Sequence, residues 1–196
     1  MVRYAFRALP WPLLSTIATV VFVLMEVVRR WPWTMWPLEG CAVGLVAAGA
    51  AWCCDEPAAA MVDSAPRSLW WRTTARLLGV CALLGVWVLS VALARDSLFE
   101  HPVEVALQGV IASAAVVAWA TWRRSRGAGT PGGLLAAGIV PVVTFWAVAR
   151  PLPRSLPLFP YTTSVELGGD WASSLVIWLV VAAVAAALLI AAVLTG

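Results

Sequence analysis

Glu104 and Gln108 stand one helical turn apart in an otherwise apolar run, with Glu100 and the only histidine, His101, just before them. Polar side chains inside apolar runs are costly and default to a functional role. The group is therefore a candidate for lining a polar pathway or binding a cation, and a helix start with snorkelling side chains is the competing reading. Glu26 and Thr144 are the other main polar residues inside such runs. Other chemistries lack their parts. No HExxH helix or Gly-rich Walker loop is present, and no Ser/His pattern marks a hydrolase. The four cysteines, Cys41, Cys53, Cys54 and Cys81, have neither zinc-site nor CxxC spacing. No catalytic residue, metal-ligand set or cofactor site is recognisable in this chain.

The elements that must carry these residues follow from composition. Of the 196 residues, 62% are hydrophobic and only 12% charged, about half the charged share of a soluble domain. Apolar runs occupy roughly 11–28, 38–54, 77–94, 103–122, 133–149 and 171–195, separated by charges, prolines and glycines. Each approaches the ~20 residues that a helix needs to cross a bilayer, and none alternates as a barrel strand would. The expected fold is all-α, a single polytopic bundle of six transmembrane helices filling 1–196. The first run follows Arg3 and Arg7 but ends in Val27-Val28-Arg29-Arg30-Trp31, so it is expected to be a span and not a cleaved signal.

Arginine placement orients the bundle, because positive residues in short loops stay on the cytoplasmic side. With the N-terminus inside, the cytoplasmic segments hold eight arginines against three acids, and the other face holds five arginines against six acids, Glu39 among them. Both termini are thus expected to be cytoplasmic. Glu26 is placed to pair with Arg30 four residues on. Many of the 13 tryptophans, including Trp31, Trp33, Trp36 and Trp171, fall at the ends of apolar runs and read as interface anchors. Gly40-xxx-Gly44 allows close approach of another helix, in this chain or in a second copy, and Pro141 can kink the fifth span. The basic residues are all arginine, a compositional hint of a bacterial source and hence of a multi-pass protein of the bacterial plasma membrane.

The connection between spans two and three is the most patterned stretch. Asp55 can cap a short helix, Pro57 suits its first turn, and Pro66 stops it. Ala58, Met61, Val62 and Ala65 share one face of that helix. Arg67-Ser68-Leu69-Trp70-Trp71-Arg72 then mixes basic and aromatic residues and is expected to lie along the headgroups until the third span begins near Leu77. An amphipathic interface helix accounts for this stretch without any partner.

The order of elements resembles the permease subunits of ATP-binding-cassette (ABC) exporters of the type-2 permease family, including their small actinobacterial members. The matching residues are Glu56 to Ala65 as a short helix, Ser64-Ala65-Pro66 as a turn, and Arg67 to Arg76 as a basic, aromatic run. The resemblance implies a coupling helix that docks on a separate ABC ATPase subunit, with Asp55, Glu56, Met61, Val62, Asp63, Pro66, Arg67 and Arg72 as the partner-binding set. ATP and Mg would sit on that partner, and a second permease copy or paralogue would complete the pathway. Residues 150–170, Pro-rich and partly apolar, fall where the family often has short re-entrant elements; a covering loop is the alternative. The scarcity of intramembrane polar groups points to a lipidic, amphiphilic or peptide-like substrate. Membrane lipids are expected neighbours, and no nucleic acid is. A non-transporting scaffold or assembly subunit of a membrane complex is the second reading.

Overall fold

The computed structural model describes residues 9–55, 69–152, 156–164 and 169–195. Among them are six α-helices: α1 (Trp11–Arg30), α2 (Met35–Cys54), α3 (Leu69–Ala94), α4 (Pro102–Ser125), α5 (Pro131–Ala149) and α6 (Trp171–Thr195). Short 3-10 turns, Pro32–Thr34 and Arg95–Ser97, precede α2 and follow α3. All six helices are long and apolar enough to cross a membrane, so the all-α, six-span expectation holds and the chain is a multi-pass membrane protein.

Four helices begin with proline in the first turn, at Pro12, Pro102 and Pro131 and in the 3-10 turn at Pro32, where the missing N–H is harmless. Two starts differ from the sequence reading. Helix α2 begins at Met35, three residues before the expected 38, so Glu39 lies a full turn inside the helix. Helix α3 begins at Leu69, eight residues before Leu77, so the Trp70-Trp71-Arg72 stretch belongs to the same helix as the third span. Nothing between Pro66 and Arg76 breaks a helix, and the buried Arg76 donates Nη1 to the Cys53 carbonyl at 3.4 Å. That carbonyl is one of the orphan acceptors in the last turn of α2, where a cation also complements the helix dipole.

Helix α2 is the hub, packed against α1, α3, α4 and α5. Thirteen of its 20 residues are buried, and its apolar character runs all round with no polar stripe, as expected for a helix enclosed by others. The Gly40-xxx-Gly44 face meets α5: a Cβ on Gly40 would collide with the Ala147 Cβ, and one on Gly44 would lie 3.4 Å from the Val140 Cα. The partner of this small-residue face is thus within the chain. Gly49 faces Ile17 of α1 and Leu83 of α3. Helix α6 packs on α4, and α5 and α6 both leave most of their surface outside the bundle. Phe145, Val142, Val176 and Val180 are among the large apolar side chains they expose.

At the end of α1, Glu26 pairs with both arginines: Arg29 Nε and Nη2 reach it at 2.7 Å and Arg30 Nε at 3.0 Å. Trp31 and Trp33 nearby are exposed, as interface anchors require. Trp87, Trp171 and Trp178 are instead buried. Trp87 lies against Gly109 and donates Nε1 to the Ala106 carbonyl of α4 at 3.0 Å.

Substituting Gly40→Val should force α2 and α5 apart. An overpacking cost of about 1–3 kcal/mol corresponds to a loss of roughly 3–10 °C in the thermal midpoint of the detergent-purified chain. Val142→Ala, on the exposed face of α5, is the matched control and should shift the midpoint by less than about 2 °C.

Candidate functional site

Two polar centres lie at opposite ends of α2. The first is at its C-terminus, where the partner-binding set begins. The short helix that Asp55 is expected to cap lies outside the described residues. The Asp55 carboxylate reaches the N-terminus of α5, accepting Gly132 N–H on Oδ1 and Gly133 N–H on Oδ2, each at 2.6 Å. Thr130, at the N-cap position, makes no side-chain cap. Asp55 replaces it from 75 residues away in sequence, with two charge-assisted bonds at the positive end of the helix dipole. Gly132 is obligatory, because a Cβ there would run into the Ala51 carbonyl and lie 2.9 Å from Asp55 Oδ1. Glu56, Met61, Val62, Asp63, Pro66 and Arg67 lie outside the described residues. Arg72 lies in the first turn of α3, its side chain outside what is described.

The second centre is at the other end, where α2, α4 and α6 begin and α5 ends. Glu39 of α2 and Gln108 of α4 are each only 1% exposed, and the Gln108 amide lies against the Glu39 carboxyl. Gln108 Nε2 points to the Leu158 carbonyl at 3.5 Å. Neither Glu39 oxygen has a hydrogen-bond partner, and neither does Gln108 Oε1.

Residues 156–164 form the roof of this centre. The Leu158 carbonyl also accepts Ser174 Oγ and Trp178 Nε1, both at 3.0 Å. Trp178 lies two turns into α6, so this peptide sits below the rim of the bundle and not on top of it. Phe159 is buried beside Trp178, with ring centroids 5.8 Å apart. Arg150, in the left-handed conformation (φ 46°) that ends α5, donates Nη2 to the Phe159 carbonyl at 2.9 Å and stacks 4.0 Å over Tyr161. A non-glycine residue in that region is strained, and these two contacts hold it there. Burial pulls the Arg150 guanidinium below the usual arginine range, opposed by Tyr161 and Glu39; arginine remains charged throughout. Trp36 stacks on Tyr161 at 5.7 Å and donates Nε1 to the Ala147 carbonyl at 2.9 Å. Trp171 stacks on His101 at 4.3 Å and donates Nε1 to the Thr162 carbonyl at 2.8 Å.

The candidate pathway pair is divided by this arrangement. Gln108 faces the buried centre, while Glu104, 31% exposed, accepts His101 Nδ1 at 3.2 Å. Sequence reasoning missed Glu39 and Arg150 by counting both among the charges of the outer face. One signal was available for Glu39: it directly precedes the Gly40-xxx-Gly44 face and is the only charged residue between Arg30 and Asp55. Among the described residues, no three His, Cys, Asp or Glu side chains converge as a metal site.

Removing the cap with Asp55→Ala should cost about 1–2 kcal/mol. Hydrogen exchange at the Gly132 and Gly133 amides should accelerate about tenfold. Asp55→Asn, which keeps one acceptor oxygen, should lose roughly half as much. No protein-family model, no curated protein and no solved structure matches this chain, so the two centres themselves carry the functional argument.

Proposed function

We propose that this chain is the permease subunit of an ATP-driven ABC exporter of the bacterial plasma membrane, working with a separate ATPase subunit and a second permease copy or paralogue. The observation that carries the reading is mechanical. The connection between α2 and α3 is anchored at one side by Asp55, whose carboxylate holds the start of α5. On its other side the chain enters α3, a helix continuous from Leu69 to Ala94. A protein that docked on residues 56–68 would therefore act on α2, α3 and α5 together. The arginine bias of this end supports a cytoplasmic location for it, where an ATPase would bind.

An apolar or amphiphilic substrate fits the surface chemistry. Helices α1 and α3 flank a groove of about 170 Å³ lined by Trp11, Leu14, Ala18, Ala82, Leu83 and Val86, among others. Hydrolysis of ATP belongs to the partner in this reading, with ATP and Mg bound there.

Affinity purification of the tagged chain from its native membrane in mild detergent, with mass spectrometry of what accompanies it, tests the proposal. An ABC ATPase should co-purify in fixed ratio. Reversing both charges, Glu56→Lys with Asp63→Lys, should lower its retention at least about tenfold, since like-charge contacts across an interface cost several kcal/mol. A preparation with no nucleotide-binding protein overturns the exporter reading. A different membrane protein in fixed ratio would make the chain a scaffold subunit.

A further inference from the structure

We propose that Glu39 and Gln108 form a binding site for one monovalent cation, a proton or a sodium ion, enclosed beneath the 156–164 segment. The argument is a count of hydrogen-bond partners. Three oxygens meet at this centre, Glu39 Oε1, Glu39 Oε2 and Gln108 Oε1, and none has a donor. Gln108 Nε2, the donor group beside the carboxyl, lies 3.5 Å from the Leu158 carbonyl, and its two hydrogens can serve at most that carbonyl and one Glu39 oxygen. Ser174 and Trp178 already serve the Leu158 carbonyl, and a donor from Gln108 to Glu39 would still leave two of the three oxygens without one. A buried acceptor surplus remains, and buried acceptors without donors are costly.

One positive charge removes the surplus. A proton on the Glu39 carboxyl removes its charge and turns one of its oxygens into a donor. A sodium ion would be ligated by the same oxygens, which suit a hard cation. Arg150 does not meet the need: no hydrogen bond or ion pair joins it to Glu39. Its Nη2 goes to Phe159 and its face to Tyr161. It still acts on Glu39 through space, so loss of the bound cation would strengthen the pull of Glu39 on Arg150 and away from the roof. Glu104 and His101, the nearest titratable pair on α4, are engaged with each other. This site requires no ATPase partner, and it stands or falls separately from the exporter reading.

The test is the thermal midpoint of the detergent-purified chain, titrated from about pH 5 to about pH 9 in choline buffers. A proton held only in the folded state stabilises at low pH and is lost as pH rises through the site's titration. The wild type should then lose about 3–5 °C per pH unit across that range. Glu39→Gln, whose amide can donate to Gln108 without a charge, should lack that component. If the cation is sodium, replacing choline by sodium at the high-pH end should restore the wild-type midpoint and leave Glu39→Gln unchanged. Identical responses of the two proteins to both titrations overturn the proposal. Should Glu39→Gln not fold, infrared spectra of the wild type with ¹³C-labelled glutamate decide. A glutamic-acid carbonyl band that persists at neutral pH, or a carboxylate band that shifts on adding sodium, supports the site; absence of both overturns it.

Discussion

How closely other helices can approach α2 governs the rest of this structure. In lipid the hydrophobic effect does not press helices together, and association rests on close packing and on polar groups that find partners within the protein. Glycine and alanine on α2 supply the first condition. Gly40 and Gly44 bring the α5 backbone into contact, and Gly49 admits Leu83 and Ile17 from two further helices. A helix with larger side chains at these positions could hold one neighbour closely but not four.

Close approach then allows the second condition to be met by tertiary contacts instead of local ones. Asp55 caps α5, Arg76 serves the end of α2, and Trp36 donates to the end of α5. Trp87 and Trp178 bring indole N–H groups to carbonyls of α4 and of the 156–164 segment. All but the Trp87 bond join a terminus or loop to a neighbouring helix. The indole is well suited to the task, since it has one donor on an otherwise apolar body.

Apolar run length made the six helices legible, and a proline stands in the first turn of three of them. Arginine and glutamate made the Glu26 cluster legible through their spacing on one helix. Contacts at long sequence separation were not legible. The contact of Asp55 with α5 depends on where Gly132 and Gly133 lie in space, which no local rule reveals. Trp171 reads as an interface anchor by position, yet the 156–164 segment covers it and His101 stacks on it. Glu39 was the most consequential omission. Charge counting treats any acid near a helix end as solvated, whereas the neighbouring helices bury this one inside the bundle.

The two polar centres are joined by the same pair of helices. Glu39 and Asp55 are sixteen residues apart on α2, about 24 Å along a helix. The neighbour of α2 across its glycine face, α5, is held by Asp55 at its first turn and ends in Arg150 beside Glu39. Backbone contact at Gly40 and Gly44 holds the two helices side by side between these ends. Arg150, which donates to the Phe159 carbonyl and lies over Tyr161, thus ties the end of α5 to the 156–164 segment, as Asp55 ties its start to α2.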